Sequence, residues 1–325
     1  MRFLACSLAL IVALAARPAS PQDKPDEILS AVVGVQAKAL PNARSAATLG
    51  SERRGTGALI RDGLVLTIGY LVVEAESVRV VAADGRVLPA AVAAYDHASG
   101  FALLRLLGGS TGKPLPLGDS AALAERAPAM VVTAPSRESP SLVYVVSRRR
   151  FSGSWEYMLD AAIFTSPPVD EWSGAPLISS KGELLGIGSL VVPDAAGPGT
   201  QLPGNLFVPV DLLKPILDDL IADGRRKGPA RPWLGMNADE VRGHLFVSRV
   251  SPEGPAERAG VRDGDIVIAV GGEAVSSLAD FYRKVWARGE AGVEIPLRVL
   301  QGAQVKDIAV RSIDRVAYFR PALTY

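Results

Sequence analysis

The chain is almost without thiols: its single cysteine, Cys6, falls in an apolar N-terminal run. Disulfides, thiolate metal sites and cysteine nucleophiles are therefore excluded from the rest of the protein. Histidine is nearly as scarce, with only His97 and His244 in 325 residues. Two separated imidazoles among scattered carboxylates give no metal-ligand spacing, so no metal is expected. An excess of one charge is missing too. The 35 Lys+Arg against 34 Asp+Glu leave a formal net charge of +1, which provides no basic field for a nucleic-acid partner. No Gly-rich loop ends in Gly-Lys-Ser/Thr, so a phosphate cradle is absent and no cofactor is implied.

What remains is a composition for a β-rich, one- or two-domain protein. Hydrophobic residues make up 48% of the chain, and its 32 Gly and 24 Pro are spread along it. Residues 3–16 form an apolar run of about 14 residues after Arg2, short of the roughly 20 needed to span a membrane. With the small residues Ala13 and Ala15 and the breakers Pro18 and Pro21, segment 1–19 reads as a signal peptide; the alternative is an uncleaved anchor. Short apolar runs then follow at 32–40, 57–60, 64–67, 78–82, 102–106, 129–133, 142–147, 176–178 and 184–190, separated by turn signals such as Asp62-Gly63 and Lys181-Gly182. Residues 211–223 read as a helix capped by Asp211 and ended by Gly224. The segment 225–232, basic and punctuated by Gly and Pro, reads as a solvated linker, and 233–310 as a second β-rich unit with one amphipathic helix at 277–287.

Several segments resemble the HtrA/Deg family of exported trypsin-like serine proteases. Gly55-Thr56-Gly57 with Asp62-Gly63-Leu64-Val65-Leu66-Thr67 is similar to that family's first barrel hairpin. Ala83-Asp84-Gly85-Arg86, Leu115-Pro116-Leu117-Gly118-Asp119-Ser120, Ser173-Gly174-Ala175-Pro176-Leu177, Lys181-Gly182-Glu183-Leu184-Leu185-Gly186-Ile187 and Asn205-Leu206-Phe207-Val208-Pro209 follow in the family's order. The segments Gly254-Pro255-Ala256, Ala259-Gly260-Val261, Gly264-Asp265-Ile266-Val267 and Val270-Gly271-Gly272 resemble a PDZ module. The resemblance implies a mainly β chain, a trypsin-like double six-stranded β-barrel followed by one PDZ domain. Its expected layout is a signal peptide at 1–19, the protease-like domain at 25–224, a linker at 225–232, the PDZ domain at 233–314 and a tail at 315–325.

Such hydrolysis needs a serine nucleophile, an imidazole to take its proton and a carboxylate to orient the imidazole. By the resemblance the serine is Ser173, but the imidazole position holds Tyr70 and the carboxylate position Gly100. A phenol near pKa 10 is a poor base at neutral pH. His97 is close in sequence to the vacant carboxylate position, and Lys181 follows a turn leading away from Ser173. The resemblance implies small residues and an asparagine before the serine, where this chain has Val169-Asp170-Glu171-Trp172. Glu171 loses a glycine and places a carboxylate where negative charge would develop, so the oxyanion site is expected to be altered.

The resemblance further implies a peptide-carboxylate loop at Trp233-Leu234-Gly235-Met236, with its backbone N–H groups free for a ligand. The associated pocket would be floored by Leu234 and Met236 and walled by Leu278, Phe281, Tyr282 and Val285, whose spacing also suits ordinary core. The expected partners are C-terminal or unfolded polypeptide segments, with homo- or hetero-oligomers possible and no transmembrane anchor after signal cleavage. Family trimers use aromatic residues near the mature N-terminus, and this chain has none between Ala16 and Gly69. Three readings stand: an exported, inactive homologue that binds peptides or proteins in envelope protein quality control; an active serine endopeptidase with a displaced base; and a regulatory subunit assembling with an active paralogue.

Overall fold

A computed structural model describes residues 23–109, 111–134 and 139–319. The expected signal peptide, Cys6 and the end of the tail lie outside the described residues. Helix α1 (Asp23–Ala31) leads into a first closed barrel with strands β1 (Val32–Ala39), β2 (Glu52–Arg61), β3 (Leu64–Ile68), β4 (Ala75–Val81), β5 (Val87–Tyr95) and β6 (Phe101–Leu106), in the order β1-β2-β3-β6-β5-β4. A short helix α2 (Ala46–Leu49) sits between β1 and β2. The second closed barrel has β7 (Pro128–Val131), β8 (Ser141–Gly153), β9 (Tyr157–Ser166), β10 (Pro176–Ile178), β11 (Leu184–Val192) and β12 (Gly204–Pro209), in the order β10-β11-β12-β9-β8-β7. The expected mainly β, double six-stranded barrel is therefore present. Its short strands follow from the turn residues between them, and closure leaves no exposed sheet edge.

All five residues of β3 are buried, because β3 fills the first barrel and also packs against β11 of the second. One apolar cluster runs through both barrels, joining Leu59, Leu66, Phe101 and Leu103 to Leu159, Phe164, Ile187 and Leu206. Of the three barrel strands missed among the apolar runs, β12 was matched only as a family segment, and β5 and β9 carry Pro89, Asp160 and several alanines, which blur a period-two pattern.

The expected helix at 211–223 is broken. A 3₁₀ turn (Val210–Leu212) precedes α3 (Leu217–Asp223), with Pro215 between them unable to donate to a helical ladder. Asp211 is no cap; its carboxylate accepts from Ser120 Oγ at 2.7 Å and Ala121 N at 2.6 Å. The linker is also less solvated than expected. Arg226 grips the buried carboxylate of Asp96 through Nε–Oδ1 and Nη2–Oδ2, both at 2.7 Å, and Arg231 lies over the Trp286 ring.

The third unit is a sheet ordered β13 (Met236–Val241), β14 (His244–Val250), β15 (Ile266–Val270), β17 (Glu294–Gln301), β18 (Gln304–Arg311), with the short β16 (Glu273–Ala274) pairing β15. Helices α4 (Pro255–Ala259) and α5 (Leu278–Trp286) cover it, and α6 (Arg315–Tyr318) follows. Ser277 caps α5 by accepting from Asp280 N, and Leu278, Phe281, Tyr282 and Val285 form its buried face. They join Leu234, Met236, Val247 and Ile295 in a separate core, against which Met158 of β9 packs. Among the described residues no helix is long and apolar enough to cross a membrane.

Candidate functional site

The loop before β10 presents Ser173 between the barrels. Asn205, fully buried on β12, fixes the loop's approach: Oδ1 accepts from Val169 N at 2.7 Å and Nδ2 donates to Val169 O at 3.2 Å. Thr56 N of the first barrel donates to Ser173 O at 2.8 Å. Gly174 follows with φ +74°, and a Cβ there would lie 2.0 Å from Thr56 O. Only glycine meets both conditions.

Tyr70 reaches the serine from the 3₁₀ turn Gly69–Leu71 after β3. That turn is held by Arg53, whose Nη1 donates to the carbonyls of Tyr70 at 3.1 Å and Val73 at 2.6 Å. The phenol oxygen is 2.7 Å from Ser173 Oγ, and its proton goes to Ser189 O at 2.9 Å. With that proton committed, Tyr70 Oη accepts from the serine hydroxyl. Trp172 Nε1 also donates to Ser189 O, at 3.2 Å. Burial raises the Tyr70 phenol to about 12 against the opposing hydrogen bonds of Ser173 and Trp172.

Gly100 sits in a turn with φ +83°, and a Cβ would stand 3.1 Å from Tyr157 Oη. Tyr157 itself donates to Ser99 O at 2.6 Å, so a tyrosine from the second barrel closes the space beside the expected carboxylate position. His97 packs tilted against Tyr95 with centroids 4.1 Å apart and stacks on Phe319 at 5.5 Å. Its buried Nδ1 has no hydrogen-bond partner among the described residues, and burial, with the charge of Arg315, holds the imidazole well below its ordinary pKa. His244 is exposed at the start of β14, and Lys181 is exposed in the turn after β10. Neither is bonded to Ser173.

Glu171 keeps a left-handed backbone, φ +58°, with an exposed side chain. The glycine-type conformation thus survives the loss of glycine, at a strain of about 1–2 kcal/mol. The larger change is Trp172, whose indole lies across the cleft to Ser189. Tyr70, Gly100, Trp172, Ser173 and Ser189 line a cavity of about 760 Å³ that continues to Trp233, Arg249 and Tyr318 of the third unit.

The loop expected to hold a peptide carboxylate is occupied from within. Leu234 N at 2.9 Å, Gly235 N at 2.7 Å and Met236 N at 3.1 Å all donate to the side-chain carboxylate of Glu156, in the β8–β9 turn. These N–H groups were expected to be free; the sequence offered no sign of an internal acceptor. Leu234, Met236, Leu278, Phe281, Tyr282 and Val285 are all buried in the core of the unit, and Trp233 lines the cavity. Burial raises Glu156 to about 7, against the pull of the three N–H groups and of Arg315.

Residues 55–187 match the family model of a trypsin-like peptidase domain and residues 246–299 that of a PDZ domain. A probable periplasmic serine endoprotease DegP-like of Halomonas elongata is 26% identical over 278 residues, covering 80% of this chain and 56% of the relative. The chain therefore corresponds to little more than half of that relative's length. A putative serine protease HhoA of Synechocystis sp. is 28% identical over 287 residues, covering 80% of this chain and 70% of the relative. Among solved structures, the HtrA-type protease AlgW with a tripeptide superposes with a TM-score of 0.54 at 19% identity, covering 93% of this chain and 98% of that one.

Proposed function

The chain is a member of the HtrA/Deg family, and from that premise we propose that it is an exported, non-catalytic member that binds peptides or proteins in envelope protein quality control. The observation carrying the first part is the Tyr70–Ser173 pair. A serine is activated by a group that removes its proton, and here the partner is a neutral phenol whose lone proton is already given to Ser189 O. With the phenol at about 12, only about one molecule in 10⁵ carries the phenolate at pH 7. Ionisation would also break the bond to Ser189. Losing a triad member typically costs about 10⁴–10⁶ in turnover, and both partners of Ser173 are replaced.

The cleft beside Ser173 is roomy, but the main-chain acceptor an extended substrate would use there is already engaged. An extended peptide lying beside β11 would need main-chain acceptors, and the Ser189 carbonyl already serves Tyr70 and Trp172. Binding of partners is assigned instead to the third unit, with the Trp233-Leu234-Gly235-Met236 loop as its carboxylate site. Export rests on relatives described as periplasmic endoproteases, and the quality-control role on the resemblance to the family.

The test is a serine-reactive fluorophosphonate probe on the purified protein, run beside a casein digest, with Ser173→Ala and Tyr70→Phe variants. No labelling and no digestion are expected for any of the three. Labelling of the wild type that Ser173→Ala abolishes would overturn the non-catalytic reading. If Tyr70→Phe also abolished it, the phenol would be the base.

A further inference from the structure

The turn joining β8 to β9, Gly153-Ser154-Trp155-Glu156, leaves the second barrel and enters the groove between β13 and α5. Glu156 turns the chain with φ +57° and is only 8% exposed. Beyond the three N–H groups on its carboxylate, the turn is held along its length. Ser154 O accepts from Ala238 N of β13 at 3.0 Å, a main-chain bond of the kind a strand-adding ligand makes. Tyr282 of α5 accepts from Glu156 N at 3.0 Å and donates to Gly153 O at 2.6 Å. Arg315 Nη1 donates to Trp155 O at 3.0 Å, and Met158 packs on the core of the unit.

Three successive backbone N–H groups converging on one carboxylate form an anion cradle, and an adjacent strand edge with a free register completes a site for a chain end. Here both parts are filled by a side-chain carboxylate and a carbonyl of the same polypeptide. We infer that the 153–156 turn is the resident ligand of this groove, with Glu156 standing in for a terminal carboxylate, and that an external C-terminal peptide binds only by displacing it. Peptide occupancy and docking of the third unit onto the barrel are then mutually exclusive. The displacement step rests on the reading of the Trp233-Leu234-Gly235-Met236 loop as a peptide-carboxylate site; the internal occupancy does not.

The consequence for affinity follows from tethering. A turn held on the same chain competes at a high effective concentration, so the apparent affinity of an external peptide falls by the fraction of molecules whose groove is open. Glu156→Gln keeps the volume but loses the charge. It also turns an amide nitrogen toward one of the N–H donors, which weakens the internal ligand without leaving a hole.

The probe is a fluorescein-labelled octapeptide ending in Ala-Val-Leu, as free acid and as amide, titrated by anisotropy into the full chain. Amide hydrogen exchange at 234–238 is followed in parallel. Glu156→Gln should bind the acid at least about tenfold more tightly than the wild type and show faster exchange at 234–238 without peptide. Tyr282→Phe, which removes two of the bonds and keeps the ring, should move both readings the same way. Equal acid affinity in wild type and both variants would overturn displacement. Unchanged exchange at 234–238 in both variants would overturn the resident-ligand assignment. Faster exchange with no preference for acid over amide in any protein would retain the internal occupant, overturn displacement by a peptide, and remove the peptide-carboxylate reading of the loop.

Discussion

Replacing Gly100 with aspartate, alone and together with Tyr70→His, asks whether the missing triad can be rebuilt. The backbone at 100 is fixed from both sides: Gly100 N donates to Asp96 O and Gly69 N donates to Gly100 O, each at 2.7 Å. Its φ of +83° cannot relax without losing one of these bonds. A side chain held there costs about 1–2 kcal/mol in left-handed strain. The new Cβ would stand 3.1 Å from Tyr157 Oη and 3.5 Å from its ring carbons. Tyr157 is itself bonded to Ser99 O and stacked on Trp155, so making room costs about 1 kcal/mol more. Gly100→Ala is therefore expected to lose about 2–3 kcal/mol of stability. Gly100→Asp should lose about 3–5, because its carboxylate enters a buried turn beside the carboxylate of Asp96. The assay is urea denaturation at neutral pH, followed by fluorophosphonate labelling of the folded fraction. Gly100→Ala within about 0.5 kcal/mol of wild type would refute the strain argument. Strong labelling of folded Tyr70→His/Gly100→Asp would refute the view that the cleft has been rebuilt around other contacts.

Two further outcomes are expected. The pKa of His97 is depressed, so its contribution to stability is present above its unfolded value of 6.5 and is lost as the pH falls below it; that of Glu156 is raised to about 7 from 4.5, so its contribution is lost as the pH rises through that window. Just below pH 6.5 the two slopes oppose each other, with the Tyr282 phenol neutral, and wild-type stability should be nearly flat there. In Glu156→Gln the acid side is left alone, giving a loss approaching 1.4 kcal/mol per pH unit below about 6.5; equal urea-midpoint slopes in the two proteins would contradict the assignment. Arg226→Ala should cost about 2 kcal/mol in the same denaturation assay. That is less than for a fully buried pair, because the guanidinium is 36% exposed while Asp96 is 5% exposed and keeps its bonds to Ser99. A change under about 0.5 kcal/mol would mean that the linker is not held by this pair.

Local signals carried the fold. Thr56 and Thr67 on the first hairpin and Ser277 before α5 each have a short-range bonding role that their neighbours in sequence announce. The placement of Tyr70 on Ser173 was also legible, because both positions are fixed by spacing within matched segments. What escaped were contacts between segments far apart in the chain. Glu156 precedes the loop it fills by 78 residues, and nothing in Ser154-Trp155-Glu156-Tyr157 marks it as a ligand. Arg226 looked like one charge of a linker, yet it closes on Asp96, 130 residues earlier. Pro215 was visible, but the apolar face around it suggested a continuous helix. Glu171 shows the converse error: the wrong residue type was read as the wrong backbone, whereas the loop imposes its left-handed turn on whatever occupies it.

The Ser173 loop has a second role that chemistry does not touch. Its carbonyl receives Thr56 N, and Gly174 nestles against Thr56 O. It is a joint between two barrels as much as a mount for a nucleophile. A chain can exchange an imidazole for a phenol, or an aspartate for a glycine, and leave that joinery undisturbed. Putting a side chain at 174 would force the barrels apart. The Ser-Gly signature therefore outlives the reaction it is associated with, and a census of hydrolases keyed to that signature counts a carpentry joint as a reaction centre.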